Sequence, residues 1–255
     1  MPFFSAKCPV DEETKASIDG AFQWLLDEFG TQSFQRVEII RPDNPAFPAR
    51  ISADDAAIHA FLRAVCGFMD VEYESVALRV FEDEGAEAFH PLAIPYSGGP
   101  KACGLYHWYA GKHEIAVDRK LLGSPVSLVA TIAHELAHAR LRSDLIAEEE
   151  RESEELLTDY TCIFFGMGIF TANSVFSFDQ FTNSQFQGWR ASRHGYIDEE
   201  SAGYALALFA YLKRDLKPVW IKFLETNPKY YFKQALRYLV KTGDCEIAIT
   251  DQPDE

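Results

Sequence analysis

The sequence predicts an α+β fold in which a small mixed or antiparallel sheet packs on one helix and a mainly helical C-terminal half follows. Short strand-like segments lie between residues 37 and 118. Segments with apolar residues at helical spacing flank them and fill the second half of the chain. We find no internal repeat, low-complexity tract or obvious linker, which favours a single domain over residues 1–255.

The N-terminal part, about residues 1–123, is expected to combine helices and strands. Apolar residues at helical spacing from Glu12 to a closing Gly30 predict the first helix. Val37 to Ile40 is predicted as a short strand, and the proline-rich stretch from Arg41 to Ala49 as a loop. Asp54 or Asp55 is then expected to cap a helix that runs to about Met69.

A strand and a β-hairpin are predicted next. Val76 to Phe81 is predicted as a half-buried strand. Glu82 to Pro100 is acidic and then rich in proline and glycine, which predicts a long loop. Gly104 to Ala110 and Glu114 to Asp118, joined by a turn at Gly111-Lys112, have the pattern of a hairpin.

Helices are predicted for most of the remaining chain. A helix from Pro125 to about Arg142 and another from about Glu152 to Phe170 make up the central part, about residues 124–172. The C-terminal part, about residues 173–245, begins with a polar and aromatic stretch that has no clear period. Two helical patterns follow, over Glu199 to Arg214 and over Lys217 to Val240.

Charge and composition exclude several classes of partner. A formal net charge of -15 opposes binding to a phosphate backbone or an anionic lipid surface, so we expect neither nucleic-acid nor membrane partners. The N-terminus has no secretory signal pattern, which makes the cytoplasm the expected compartment. The five cysteines are scattered without CxxC spacing, so reduced thiols are expected rather than a thiolate zinc site. The sequence leaves the oligomeric state open.

The segment His134-Glu135-Leu136-Ala137-His138 carries the strongest functional signal. His134 and His138 are four residues apart on a predicted helix, so their imidazoles can converge on one ion, and zinc favours such ligands. Glu135 is rotated by about 100° from His134 around the helix axis. We therefore expect Glu135 to lie beside the metal and to act as a base rather than as a ligand.

A catalytic zinc ion usually has three protein ligands, so a third residue is needed. Glu155 on the next predicted helix is our choice, and Asp159, one turn further on, is expected to fix the tautomer of a ligand histidine through its outward ring nitrogen. Asp144 is a rival, although Leu141 replaces the glycine that the corresponding signature needs. A shifted register with Glu152 or Glu154 as the ligand stays open.

The order hairpin, HExxH helix and ExxxD helix resembles the gluzincin clan of zinc metallopeptidases, of which thermolysin is the familiar member, over about Leu105 to Phe170. The segments IAHELAHARL, ELLTDYTCIFFGMGIFTANS and GWRASRHGYIDEESAGYALALFAYL resemble a family of uncharacterised bacterial HExxH proteins. The resemblance implies a zincin-like fold and a zinc ion bound by His134, His138 and Glu155. It also implies Glu135 as general base and Asp159 as the supporting acid.

The same resemblance implies a downstream residue near the oxyanion, for which His194 is the best candidate and Tyr196 the next. It further implies that the edge of the hairpin receives an extended substrate.

Together the residues and the resemblance predict a zinc-dependent metallohydrolase, a peptidase that acts on a peptide or protein substrate. Zinc is the predicted cofactor. One alternative is a catalytically silent zinc-binding protein with a regulatory or partner-binding role, although a purely structural site needs no base such as Glu135. The other alternative is a helical protein-interaction module without a metal.

Overall fold

The computed structural model describes residues 6–48, 51, 55–81, 104–142, 151–183 and 197–248. Within these ranges the chain forms eight α-helices and one three-stranded sheet, so the predicted mixed α+β class is confirmed. The chain divides into two compact units, each assembled from segments that are distant in sequence. The single-domain organisation stays a prediction.

The sheet belongs to the unit formed by Pro42–Thr158 and Phe176–Gly195. Strand β1 (Val76–Phe81) runs parallel to β3 (Lys112–Asp118), whereas β2 (Gly104–Tyr109) runs antiparallel to β3. The strand order β1-β3-β2 makes this a mixed sheet with β3 in its centre. The hairpin and the β1 strand predicted from the sequence are therefore confirmed.

The hairpin turns one residue earlier than predicted. Ala110 and Gly111 both have positive φ angles, 50° and 81°, and connect β2 to β3. Tight two-residue hairpin turns need positive φ at both central positions because this matches the twist of the flanking strands. Lys112 is consequently the first residue of β3 and not part of the turn.

Two helices belong to the same unit, and one of them packs on the sheet. Helix α3 covers Asp55–Phe68, and α4 covers Pro125–Leu141. Helix α4 contacts β2, β3 and α3, and most of its length is buried, from Leu128 to Ala139 with the exception of His134. Burial of so much apolar surface, at about 25 cal/mol per Å², fixes the position of α4 against the sheet.

The other unit comprises Met1–Arg41, Asp159–Val175 and Tyr196–Glu255. Helices α1 (Glu12–Phe29) and α2 (Thr31–Arg36) belong to it, together with α7 (Glu199–Leu212) and α8 (Thr226–Thr242). Its core is strongly aromatic and contains the fully buried rings of Phe22, Phe34, Phe164, Phe170, Tyr204 and Phe232. The helical C-terminal half predicted from the sequence is present, except that a 3-10 turn at Val219–Phe223 precedes α8.

Helices α7 and α8 approach each other closely at a glycine. A Cβ atom on Gly203 would lie 2.5 Å from the Cβ of Tyr231 and 2.9 Å from the backbone nitrogen of Phe232. No ordinary side chain fits in that space, so the glycine allows the two backbones to meet.

Two predictions of local structure were wrong. Val37 to Ile40 forms no strand: the Ile40 N–H donates one backbone hydrogen bond to the Gly166 carbonyl oxygen at 2.8 Å, without a ladder. The helix predicted from Glu152 to Phe170 is two helices, α5 (Arg151–Phe164) and α6 (Gly168–Asn183). Gly166 separates them with a φ of +85°, a left-handed value that ends a right-handed helix.

Helix α6 also extends through the first part of the stretch that showed no period in the sequence. The predicted loop from Glu82 to Pro100 lies outside the described residues. Among the helices that the structure describes, none has the length and apolar character needed to cross a membrane.

Candidate metal centre

Helix α4 places the HExxH segment in its last two turns. The helix ends at Arg142, whose left-handed backbone (φ 55°, ψ 48°) directs its N–H to the carbonyl oxygens of Ala139 and His138. His134 and His138 lie one turn apart, and their ring centroids are separated by 4.9 Å at an interplanar angle of 84°. Both imidazoles therefore lie on the same face of α4, as the four-residue spacing predicts.

Helix α5 brings Glu155 to the two histidines. The Oε2 atom of Glu155 lies 3.1 Å from His134 Nε2 and 3.7 Å from His138 Nε2. One ligating atom from each of the three residues lies within 4.8 Å of the other two. The predicted trio is therefore brought together, and among the described residues this group has the geometry of a possible metal site.

Two of the three separations between the possible ligand atoms are close to those expected between ligands of one metal ion. Ligand atoms at the usual zinc distances of about 2.0–2.1 Å lie about 3.3 Å from one another around a tetrahedral centre. The two measured separations, 3.1 Å and 3.7 Å, fall on either side of that value. Two neutral imidazole nitrogens and one carboxylate oxygen also form a donor set that zinc accepts.

Glu154 occupies the outward side of His138. Its Oε1 atom lies 2.7 Å from His138 Nδ1, and both side chains are buried, with 7% and 9% of their surface exposed. The Thr158 hydroxyl donates to the Glu154 carbonyl oxygen at 2.8 Å and lies 3.4 Å from the same His138 nitrogen. Glu154, the rival candidate for the third ligand, therefore contacts His138 Nδ1, whereas Glu155 lies on the Nε2 side of the same ring.

Asp159 is buried one turn after Glu155. Its Oδ2 atom accepts a hydrogen bond from the Ile197 backbone N–H at 3.2 Å. The tautomer-fixing role expected for Asp159 stays a prediction.

A tyrosine of the hairpin packs against one of the two histidines of the candidate site. The ring of Tyr106 on β2 stacks on His138, with centroids 5.7 Å apart and an angle of 23°. The Tyr106 hydroxyl lies 3.0 Å from His113 Nδ1 on β3. This stack restricts the His138 ring from the side of the sheet; the resemblance implied that the hairpin lies near the site, but the residue spacing alone did not indicate this contact.

Glu135 is buried, with 6% of its surface exposed. Burial raises the pKa of its carboxyl above the ordinary value of 4.5, and the neighbouring His134 and His138 oppose that shift. Within the described chain, its carboxylate takes part in no hydrogen bond or ion pair. A buried carboxylate without a fixed partner is free to exchange a proton with a bound molecule.

The structure gives no side-chain position for several of the candidate residues named from the sequence. His194, Tyr196 and Asp144 lie outside the described residues, and the structure gives no side-chain position for Glu152. Their predicted roles stay predictions.

Comparison with known proteins gives no match among protein-family models, curated proteins or solved structures.

Proposed function

We propose that this protein is a zinc-dependent hydrolase of the gluzincin type that cleaves peptide bonds. The observation that supports this most strongly is the convergence of His134, His138 and Glu155, whose ligating atoms lie within 4.8 Å of one another. A possible metal site beside a buried glutamate from the same helix is an arrangement that suits metal-assisted hydrolysis.

Zinc is the proposed metal because the donor set and separations suit it. His134 and His138 each offer Nε2, and Glu155 offers Oε2. When bound, zinc supplies Lewis acidity toward a carbonyl oxygen and makes water more acidic.

Glu135 is the proposed general base. Its carboxylate is buried on α4 directly after His134 and is not tied to a hydrogen-bonding partner among the described residues. In the proposed reaction, a Glu135 oxygen accepts a proton from the attacking water and later donates it to the leaving amine nitrogen. The resemblance to gluzincins is the basis for two further proposed roles. His194 stabilises the oxyanion, and Asp159 supports the ligand histidines.

The test is hydrolysis of a defined peptide library, followed by mass spectrometry, with zinc-loaded wild-type protein. We expect cleavage by wild type and by Glu28→Gln, a matched change at an exposed position of α1. We expect Glu135→Gln to lose cleavage while it retains zinc, because only the base is removed.

Turnover by Glu135→Gln at the wild-type rate would contradict the role of Glu135. Tight zinc binding without cleavage of any peptide by wild type would contradict the peptidase proposal and favour the catalytically silent zinc-binding alternative.

A further inference from the structure

We propose that a groove beside α8 binds a short acidic peptide segment of a partner protein, a function that does not depend on the proposed hydrolysis. The groove has a volume of about 490 Å³ and lies between α8 and the segment that precedes it. Its apolar lining comes from Leu216, Ile221, Phe232, Leu236 and Val240. We call it the basic groove because of the cations that border it.

The charge around the basic groove is opposite to that of the whole chain. Residues 213–242 contain eight of the 24 lysines and arginines but only two acidic residues, Asp215 and Glu225, whereas the complete chain has a net charge of -15. The cations are thus concentrated in one segment of the chain, while Glu199 and Glu200 of α7 lie at the N-terminal end of α8, near Asn227 and Tyr231. At physiological salt, exposed charges more than about 8 Å apart are largely screened from each other. A ligand in the groove therefore interacts mainly with the nearby cations and only weakly with acidic residues elsewhere on the chain.

The cations follow a regular stripe along α8. Lys229, Lys233, Arg237 and Lys241 are four residues apart, and no acidic residue occurs within α8. Successive members are separated by about 6 Å along the helix axis. A peptide with carboxylates at a similar spacing can therefore pair with several of them at once.

Three cations line the groove itself, namely Lys217, Lys233 and Arg237. No ion pair or side-chain hydrogen bond engages these three residues within the described part of the chain. Their charges are consequently available to a ligand without breaking an existing contact.

Apolar side chains are exposed at the same place. Leu216 is 45% exposed, Val240 49%, and Val219, next to the groove, 77%. A concave apolar surface with a charged border suits a peptide that inserts apolar side chains and pairs its carboxylates at the rim.

A membrane is a poorer occupant. The apolar face of α8, with Phe232, Leu236 and Leu239 at 1%, 8% and 0% exposure, is packed inside its own unit. A helix that binds a bilayer must place its whole apolar face in the lipid. Here only the part of that face at the groove is open, where Val240 and Leu216 are exposed, which is enough for a narrow peptide but not for a bilayer. A nucleic acid is also disfavoured because its long phosphate backbone would extend over the acidic remainder of the chain.

The experiment measures binding of a fluorescein-labelled amphipathic peptide of Glu and Leu to the full-length protein by fluorescence anisotropy. Comparison peptides have the same composition in scrambled order, or Lys in place of Glu. The charge-reversal variant is Lys233→Glu with Arg237→Glu, and the groove variant is Val240→Glu. The matched control is Lys7→Glu with Arg36→Glu, two exposed cations of the same unit.

We expect wild type and control to bind the amphipathic peptide equally, and both groove variants to bind it about tenfold or more weakly. The Lys peptide should not displace the labelled Glu peptide, and the scrambled peptide should bind more weakly. Thermal unfolding shows whether a variant is folded, and Val240→Ser provides a milder change if Val240→Glu is not.

Several results would overturn the proposal. The first is that wild type does not bind the amphipathic Glu peptide. The second is that the groove variants bind it as tightly as wild type does, and the third is that the Lys7→Glu, Arg36→Glu control loses binding. Binding of phosphatidylserine vesicles or an oligonucleotide through Lys233 and Arg237, without competition from the peptide, would also overturn it. The zinc content of each variant should match wild type, so this test is independent of the proposed hydrolysis.

Discussion

The Glu154 Oε1 atom lies 2.7 Å from His138 Nδ1, on the side of the ring opposite to the nitrogen that faces Glu155. A carboxylate at Nδ1 favours the tautomer in which Nδ1 carries the hydrogen and Nε2 keeps a free lone pair. Glu154 therefore holds His138 in the form that a metal ligand requires.

Removal of this carboxylate should weaken metal binding. We predict that Glu154→Ala lowers zinc affinity by about 10- to 100-fold, as measured by competition with a fluorescent chelator. Glu28→Gln serves as a surface control and should bind zinc as wild type does. An unchanged zinc affinity in Glu154→Ala would show that Tyr106 and the helix alone orient His138.

Zinc should stabilise the folded chain because the three ligands converge only after folding. With free zinc about 1,000-fold above its dissociation constant, we predict a gain of about 4 kcal/mol in the free energy of unfolding. Thermal unfolding with and without a chelator measures the effect. The gain should disappear in His134→Ala; an equal gain in that variant would place the metal elsewhere.

Cys66 should cause a pH dependence of stability. Burial raises the pKa of its thiol from the ordinary 9.0 to about 12. Between pH 9 and pH 12 the folded state therefore keeps the Cys66 proton, whereas the unfolded state loses it. The contribution of the Cys66 thiol to the free energy of unfolding is therefore complete below pH 9 and is lost as the pH rises toward 12.

The measurement compares the free energy of unfolding of wild type and Cys66→Ala between pH 8 and pH 11. Wild type should lose up to about 1.4 kcal/mol more than the variant for each pH unit above 9. Parallel pH profiles would contradict the raised pKa of Cys66.

Gly166→Ala should destabilise the protein. Gly166 has a φ of +85°, and an added Cβ would lie 2.2 Å from the Glu38 carbonyl oxygen. We predict a loss of about 2 kcal/mol or more in chemical denaturation. Gly20→Ala is the control, because Gly20 is a helical site where an added Cβ would meet nothing within 4 Å. Its free energy of unfolding should rise by about 0.5–1 kcal/mol, because alanine favours the helix more than glycine does.

The sequence predicted the features that depend on local spacing. The turn glycine Gly111 between two strand-like segments and the four-residue spacing of His134 and His138 are local signals, so no knowledge of tertiary structure is needed. For this reason the hairpin, helix α4 and the shared face of the two histidines were predictable.

Features that depend on distant contacts were not predictable. The close approach of Gly166 to the Glu38 carbonyl joins segments that are far apart in sequence. The choice between Glu154 and Glu155 depends on how α5 is rotated against α4, and both residues are acidic. Val37 to Ile40 has strand-forming residues, but a strand also needs a partner along its whole length, which only the tertiary fold decides.

The zinc content of purified protein, measured by elemental mass spectrometry after growth and purification without chelators, is the direct test of the metal centre. The metal centre predicts one zinc per chain in wild type and in Glu135→Gln, with loss or marked weakening in Glu155→Ala. Absence of zinc from wild type, even after reconstitution, or full retention in Glu155→Ala, would contradict the proposed centre.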